Sequence, residues 1–303
     1  MTAKTSKPLS LGILGLSPGN GHPYSWSAIF NGYDIESMRS CPFPVISQYL
    51  AQQTFPQDQI IGARVTHIWT QDQDISKNVS QAAKIPIIVA DPHQLIGAVD
   101  AILLARDDAE NHWQMSKDFL RAGLPIYIDK PLAFDLKTAK KILNMQQYSG
   151  QVFTGSALSF AKEFQITPAI KSKVGTINRI EANISKDWLK YSIHIIDPVL
   201  NMIKWQDEII GAKTKMIAGG QTTAITWPNS LTTVFTVTGK KSVPITIDIR
   251  GETGTKRLEF TDTYSAFKNS LQTFIDIIQK KVQPPSTKRI LKAVEIIERG
   301  VQS

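Results

Sequence analysis

The chain has 303 residues, a net charge of +8 at pH 7, 42% hydrophobic and 20% charged residues, a composition typical of a globular protein large enough for two domains. Its single cysteine, Cys41, excludes a disulfide framework and a cysteine-based zinc site. The lysines fall in scattered pairs such as Lys140-Lys141 and Lys240-Lys241 without interleaved aromatics, which argues for a solvated surface and against a nucleic-acid partner. No stretch approaches the roughly 20 apolar residues that span a bilayer. A cytoplasmic protein with no membrane partner is therefore expected, and no metal site is predicted.

Residues 9–16 are predicted as a first strand rather than a leader, because Ser10, Gly12 and Gly15 interrupt the apolar run. The turn Ser17-Pro18-Gly19-Asn20-Gly21-His22 follows, then a helical stretch over 25–30. Glycines between a first strand and a helix let backbone N–H groups approach a pyrophosphate. Gly15, Ser17, Gly19, Asn20, Gly21 and His22 are thus candidate cofactor-binding residues. The spacing departs from G-x-G-x-x-G, with Ser17 where a second glycine would stand, so a plain glycine turn is the competing reading.

Val65-Thr66-His67-Ile68-Trp69 reads as the second strand, with Thr70 and Asp72 beyond it as candidates for the cofactor ribose. NAD enzymes carry an acid at the end of this strand for the ribose hydroxyls, whereas Asp72 comes after Thr70-Gln71, and no arginine follows directly to hold a 2′-phosphate, so the pattern leans slightly to NAD over NADP. Residues 99–105 form a continuous apolar run, as in a strand buried on both faces. Asp107 and Asp108 are placed to cap a helix over 112–122 that Gly123 closes. The return strand ends on Asp129-Lys130-Pro131. Lys130 and the Arg106-Asp107 turn therefore leave the same sheet edge, where ligands of open α/β sheets bind, although a solvated loop lysine is the plainer alternative.

A domain boundary is predicted near 133–136, giving a domain over 1–133 and another over 134–303. After a helix over 136–147, strands are predicted in direct succession over 175–185, 213–219, 222–227, 231–238 and 243–251, which implies an open, mainly antiparallel sheet. Between strands, Lys190, His194, Asp197 and Asn201 recur at helical spacing beside an apolar stripe of Ile193, Ile196, Leu200 and Ile203. Pro198 costs about 3 kcal/mol inside a helix, which places the helix start near 194 or 195. Two amphipathic helices, 265–280 and 287–299, flank Pro284-Pro285.

The glycine turn, Asp129-Lys130-Pro131-Leu132-Ala133 and His194-Ile195-Ile196-Asp197 together resemble the Gfo/Idh/MocA oxidoreductases over nearly the whole chain, with Asp129 for the glutamate of the family's E-K-P motif. The resemblance implies an α/β fold: an N-terminal Rossmann-like doubly wound parallel sheet, then a C-terminal α+β domain whose open sheet face forms a homo-dimer or tetramer. It also implies an NAD- or NADP-dependent hydride transfer involving a secondary alcohol or ketone of a sugar, polyol or sugar acid. In that reading His194 is the base, Lys130 polarises the reacting oxygen, and Asp197 orients the imidazole or binds a substrate hydroxyl. Three departures stand out: Lys190 where relatives carry an acid, Ser192 for a glycine, and Arg106-Asp107 for Thr-Pro. They suggest an anionic group on the small-molecule substrate, with Lys190 a further catalytic candidate, or a different protonation scheme. A regulatory dinucleotide sensor without turnover and a redox-neutral enzyme retaining its NAD are the alternatives.

Overall fold

The computed structural model describes residues 7–203 and 205–302. They form two compact units. The first takes the chain to Asp129, with Ile142–Phe153 and Leu271–Pro284; the second holds Lys130–Lys141, Thr154–Ser270 and the residues from Pro285 onward.

In the first unit β1 (Leu9–Leu14) leads to α1 (His22–Asn31), α2 (Ile35–Arg39) and α3 (Pro44–Leu50). Then come β2 (Ala63–Trp69), α4 (Gln73–Ala82), β3 (Ile87–Ile88), β4 (Ala101–Leu104), α5 (His112–Arg121) and β5 (Ile126–Ile128). Helix α6 (Leu136–Leu143) carries the chain to the last strand, β6 (Val152–Thr154). The strand order β3-β2-β1-β4-β5-β6, with β1 parallel to both β2 and β4, is doubly wound, and its order reverses at β1. Every residue of β4 is buried, as a strand covered on both faces requires. Stacking of Trp26 on Tyr127 at 4.7 Å, and edge contact of Tyr127 with Phe153 at 4.7 Å, tie α1 to the β5 side of the sheet.

The second unit contains α7 (Pro168–Val174), β7 (Ile177–Ile184), α8 (Trp188–Tyr191), α9 (Ile193–Leu200), β8 (Gly211–Ile217), β9 (Gly220–Thr226), β10 (Thr232–Val237), β11 (Thr246–Gly251) and β12 (Thr255–Glu259). It ends in α10 (Thr263–Ile278), whose second half returns to the first unit, and α11 (Thr287–Gln302). The sheet order is β12-β11-β7-β10-β9-β8; β7 and β10 run parallel, and the other strand pairs are antiparallel. One face buries Ile180, Ala182, Phe235 and Ile247 against Ile196, Val199, Ile296 and Ile297 of the helices. Each isoleucine, valine or phenylalanine among them contributes about 1.5–3 kcal/mol by leaving water. The opposite face carries ion pairs between Arg179 and Glu181 and between Arg257 and Asp248.

Several boundaries differ from the sequence reading. Helix α1 begins at His22 because Pro23 sits in its first turn, where a missing N–H does no harm. Asp107 and Asp108 do not cap α5 with their side chains: a short 3-10 turn over Ala109–Asn111 intervenes, and Asp108 turns to Arg106 instead. Helix α9 starts at Ile193 and keeps Pro198 in its interior, and β12 was not foreseen. No described helix is long and apolar enough to cross a membrane.

Candidate functional site

In the first unit four turns leave the sheet at one level, because Leu14 is in register with Trp69 and Leu104, and Leu104 with Ile128. Gly15 follows β1 at φ +78, and a Cβ there would lie 2.4 Å from Cδ of Arg106. The arginine stem therefore crosses the glycine, held by Asp108, which accepts from Nε at 2.8 Å and from Nη2. Burial pushes the Asp108 carboxyl up, but Arg106 and Asn111 outweigh it and hold the group below its ordinary range. Beneath them the Ser17 hydroxyl donates to Asp107 Oδ1 at 2.7 Å and accepts the Asp107 N–H at 3.1 Å, a buried lock between the β1 and β4 turns.

The remaining turn residues divide by task. Gly19, at φ +81, has open space where a Cβ would point, whereas Gly21 is packed 2.4 Å from Ile46 and 2.6 Å from Phe43 on the same measure. Gly19 can present backbone to a ligand; Gly21 admits α3. The first turn of α1 has little to offer an anion, because the His22 N–H donates to Asn20 Oδ1 at 3.0 Å, Pro23 has no N–H, and the Tyr24 and Ser25 N–H groups donate to the Gly21 carbonyl at 3.0 and 3.2 Å. The open backbone at Gly19 and the Arg106 guanidinium that crosses Gly15 fit a dinucleotide's diphosphate, and Gly19 and Arg106 are the residues that would hold it, while the Gly15 N–H is spent on the Trp69 carbonyl and the Ser17 hydroxyl on Asp107.

Asn20 and His22 act differently. The Asn20 amide donates to Asp129 Oδ2 at 2.7 Å, and His22 Nδ1 lies 2.7 Å from the same oxygen. A carboxylate oxygen only accepts, so Nδ1 carries the proton. The buried Asp129 thus ties the glycine turn to the end of β5, immediately before Lys130. Beyond β2, Thr70 is buried and donates to Asp72 O at 2.5 Å, while the Asp72 carboxylate caps α4 through the Asp74 N–H at 2.8 Å. Gln71 grips both backbone groups of Leu16, so it, rather than Asp72, binds the β2 turn to the glycine turn.

The second unit assembles the other candidates. His194, on the first turn of α9, has Nδ1 2.8 Å from Ser156 Oγ. The Ser156 N–H donates to Asp197 Oδ2 at 2.6 Å. Arg289, from the first turn of α11, donates to Asp197 Oδ1 at 3.3 Å, to the Asp197 carbonyl at 2.8 Å and to Asn201 Oδ1 at 2.7 Å. Burial pushes the Asp197 carboxyl up, opposed by Arg289 and the Ser156 N–H. Only glycine suits position 155, where φ is +121 and a Cβ would meet Asp197 Oδ2 at 2.7 Å.

Beside this chain of contacts Tyr191 lies 5.8 Å from the His194 ring. Lys130 Nζ is 5.8 Å and Lys186 Nζ 4.2 Å from the Tyr191 ring centre, and Lys186 also donates to its hydroxyl at 2.6 Å. Lys190 is fixed at its backbone, where its N–H meets the capping Asp187 side chain at 2.9 Å. Asp197, only 2% exposed, acts on its neighbours and is closed to a substrate hydroxyl. Sequence reasoning missed Ser156, Arg289, Tyr191, Lys186 and the anchoring role of Asp129. Gly155-Ser156, a glycine turn after an apolar strand, was a readable signal; Arg289 left none, since its partner lies 92 residues away.

Residues 47–156 match the Gfo/Idh/MocA family, described as an oxidoreductase family with an NAD-binding Rossmann fold. No protein of curated function matches the sequence. Among solved structures, myo-inositol 2-dehydrogenase from Lactobacillus plantarum is 14% identical, with 98% of this chain and 97% of that one covered and a TM-score of 0.74. A myo-inositol dehydrogenase from Lactobacillus casei, solved with NAD(H) and myo-inositol, is 15% identical over 98% of this chain and 94% of its own, at a TM-score of 0.73. A probable dehydrogenase from Thermotoga maritima is 14% identical over 97% of both chains, at a TM-score of 0.72. At these identities the likeness establishes the two-part fold.

Proposed function

We propose that this chain, whose residues 47–156 match the Gfo/Idh/MocA oxidoreductase family with its NAD-binding Rossmann fold, moves a hydride between NAD(H) or NADP(H) and a secondary alcohol or ketone of a sugar, polyol or sugar acid. The observation that carries this reading is the buried run Arg289–Asp197–Ser156–His194 beside Lys130 and Tyr191 in the second unit. Such order around an imidazole suits a group that must meet a reacting oxygen in one orientation.

The nicotinamide supplies or accepts the hydride when bound. The protein's own residues do the rest. Gly19 and Arg106 hold the diphosphate, with Gly15, Ser17, Asn20, Gly21, His22 and Asp107 shaping the turn. Thr70 and Asp72 build the β2 turn that meets the ribose. His194 and Lys130 act at the reacting oxygen, one moving its proton and the other hydrogen-bonding it. Asp197 positions. Lys186 and Lys190 bring positive charge near that pair, which favours a substrate bearing a carboxylate or phosphate.

The test is the absorbance of reduced nicotinamide when purified protein meets NAD or NADP and a panel of polyols, sugar acids and sugar phosphates. Turnover is expected on at least one acidic member, with loss in Lys130→Ala. Reversible cofactor binding without turnover across the panel would instead identify a sensor, and cofactor retained through purification a redox-neutral enzyme.

A further inference from the structure

We propose that a cleft in the first unit, at the amino ends of β1 and β4, binds a small organic anion whose carboxylate or phosphate meets Arg64 and His67 while its apolar body lies on Leu9, Ile87 and Val99. Such a ligand is neither the dinucleotide nor the substrate of the proposed hydride transfer. Dinucleotides bind beyond the carboxyl ends of the strands, where the glycine turn follows Leu14. The cleft opens at the other end, beside Leu9 and Asp100, and about 16 Å of strand rise separates Ser10 from Gly15.

A break in the β1–β2 register builds the cleft. Ser10 pairs with Arg64 and Leu11 with Val65, but Gly12 pairs with His67, so Thr66 is an extra residue on β2. Side chains alternate along a regular strand, which would send Arg64 and His67 to opposite faces. The extra residue brings them to one. Bulges are rare between parallel strands and recur where a side chain is re-aimed for a task. Here Arg64 and His67 both line the cleft, with Ser10 and Thr66. The Thr66 hydroxyl lies 2.8 Å from His67 Nδ1 and bonds to the Ser10 hydroxyl, which fixes the imidazole by one nitrogen. Its Nε2 has no hydrogen-bond partner among the described residues.

Charge and shape select the ligand. Arg64 forms no ion pair among the described residues, and its planar fork of N–H donors suits a carboxylate or phosphate. Lys7 adds a second cation against one acid, Asp100, whose Oδ2 already accepts the Ser10 N–H at 2.7 Å. Burial pushes the His67 imidazole below the ordinary histidine range, and an anion beside it would favour the charged form. The apolar wall includes Ile87, which is 43% exposed. The volume, about 630 Å³, falls within the roughly 300–1,000 Å³ of small-molecule sites, which combine apolar walls with a few placed polar groups.

The test is nitrogen NMR of protein labelled at its five histidines, with His67 assigned by the signal lost in His67→Gln. Benzoate or phenyl phosphate should shift the His67 signals saturably and raise the pH at which they titrate, and the tighter of the two identifies the head group. Benzyl alcohol lacks the charge and inorganic phosphate the body. Each should bind about 10- to 100-fold more weakly, the worth of one charge-assisted hydrogen bond or one buried ring. Arg64→Met should weaken the anions by about the same factor, and Arg64→Lys, which keeps the charge without the fork, by less. Arg64 is exposed, so both variants should keep the wild-type melting temperature. Shifts that do not saturate or that persist in Arg64→Met would overturn the inference. Inorganic phosphate as tight as phenyl phosphate would reduce the cleft to an adventitious ion site, and displacement by NAD(H) would place the anions at the glycine turn; either result refutes the proposal.

Discussion

Arg289→Met tests the buried run at its root. The change keeps an apolar stem but removes the guanidinium that meets Asp197 Oδ1 at 3.3 Å, the Asp197 carbonyl at 2.8 Å and Asn201 at 2.7 Å. Asp197, 2% exposed, then keeps a carboxylate in the interior with one backbone donor. Breaking a buried pair from one side costs about 3–5 kcal/mol, a large part of the roughly 5–15 kcal/mol that holds a domain together. The sign of the pH dependence follows from burial, which raises the folded Asp197 pKa above its unfolded value. The favourable contribution of such a group is complete below the unfolded value, about 3.9, and is lost as pH rises through the folded pKa. Without Arg289 that loss deepens. Urea unfolding should therefore show a deficit in the variant that is small near pH 4 and grows toward neutrality, and Arg289→Met/Asp197→Asn should recover much of it. A deficit below about 1 kcal/mol, unchanged with pH, would mean that Asp197 is solvated and that the run does not position His194.

Gly19→Val should weaken NAD(H) binding in calorimetric titration, because a β-branched residue at φ +81 obstructs the open cradle; Gly21→Val should instead lower the melting temperature through Phe43 and Ile46, and equal effects on binding would remove the division of labour between them. Lys190→Met should raise KM for acidic substrates far more than for neutral ones, and equal changes would exclude charge recognition. Glu163 accepts from Thr261 N at 2.9 Å, Thr261 Oγ1 at 2.8 Å and Asp262 N at 2.8 Å. Burial pushes its carboxyl up, yet these donors hold it below the ordinary value. Its contribution, about 1.5–3 kcal/mol, is present above the unfolded value of about 4.3 and fades as pH falls below it, so Glu163→Ala should lose most at neutral pH and little in acid by the same urea assay.

What the sequence disclosed depended on range. The apolar run at 99–105 and the alternation through 231–238 are local patterns, and strands formed inside both, at Ala101–Leu104 and Thr232–Val237. The stripe Lys190, His194, Asp197 and Asn201 correctly put His194 and Asp197 on one helix. Local reasoning failed where a side chain had more than one partner within reach. Asp108, a good cap by type, found Arg106, and Asp72 found the start of α4. Those partners lie two residues away in each case, whereas Arg289 and Ser156 meet theirs 92 and 38 residues away, beyond the reach of any local pattern.

The departures from the family pattern become coherent once those partners are known. Four residues before His194, where the resemblance places an acid, the chain has Lys190, and the imidazole is steered from Ser156 at the end of β6. The acid four residues before the histidine is thus replaced by lysine, while Asp197, which belongs to the motif that carries the resemblance, fixes geometry from the interior through the Ser156 N–H and Arg289.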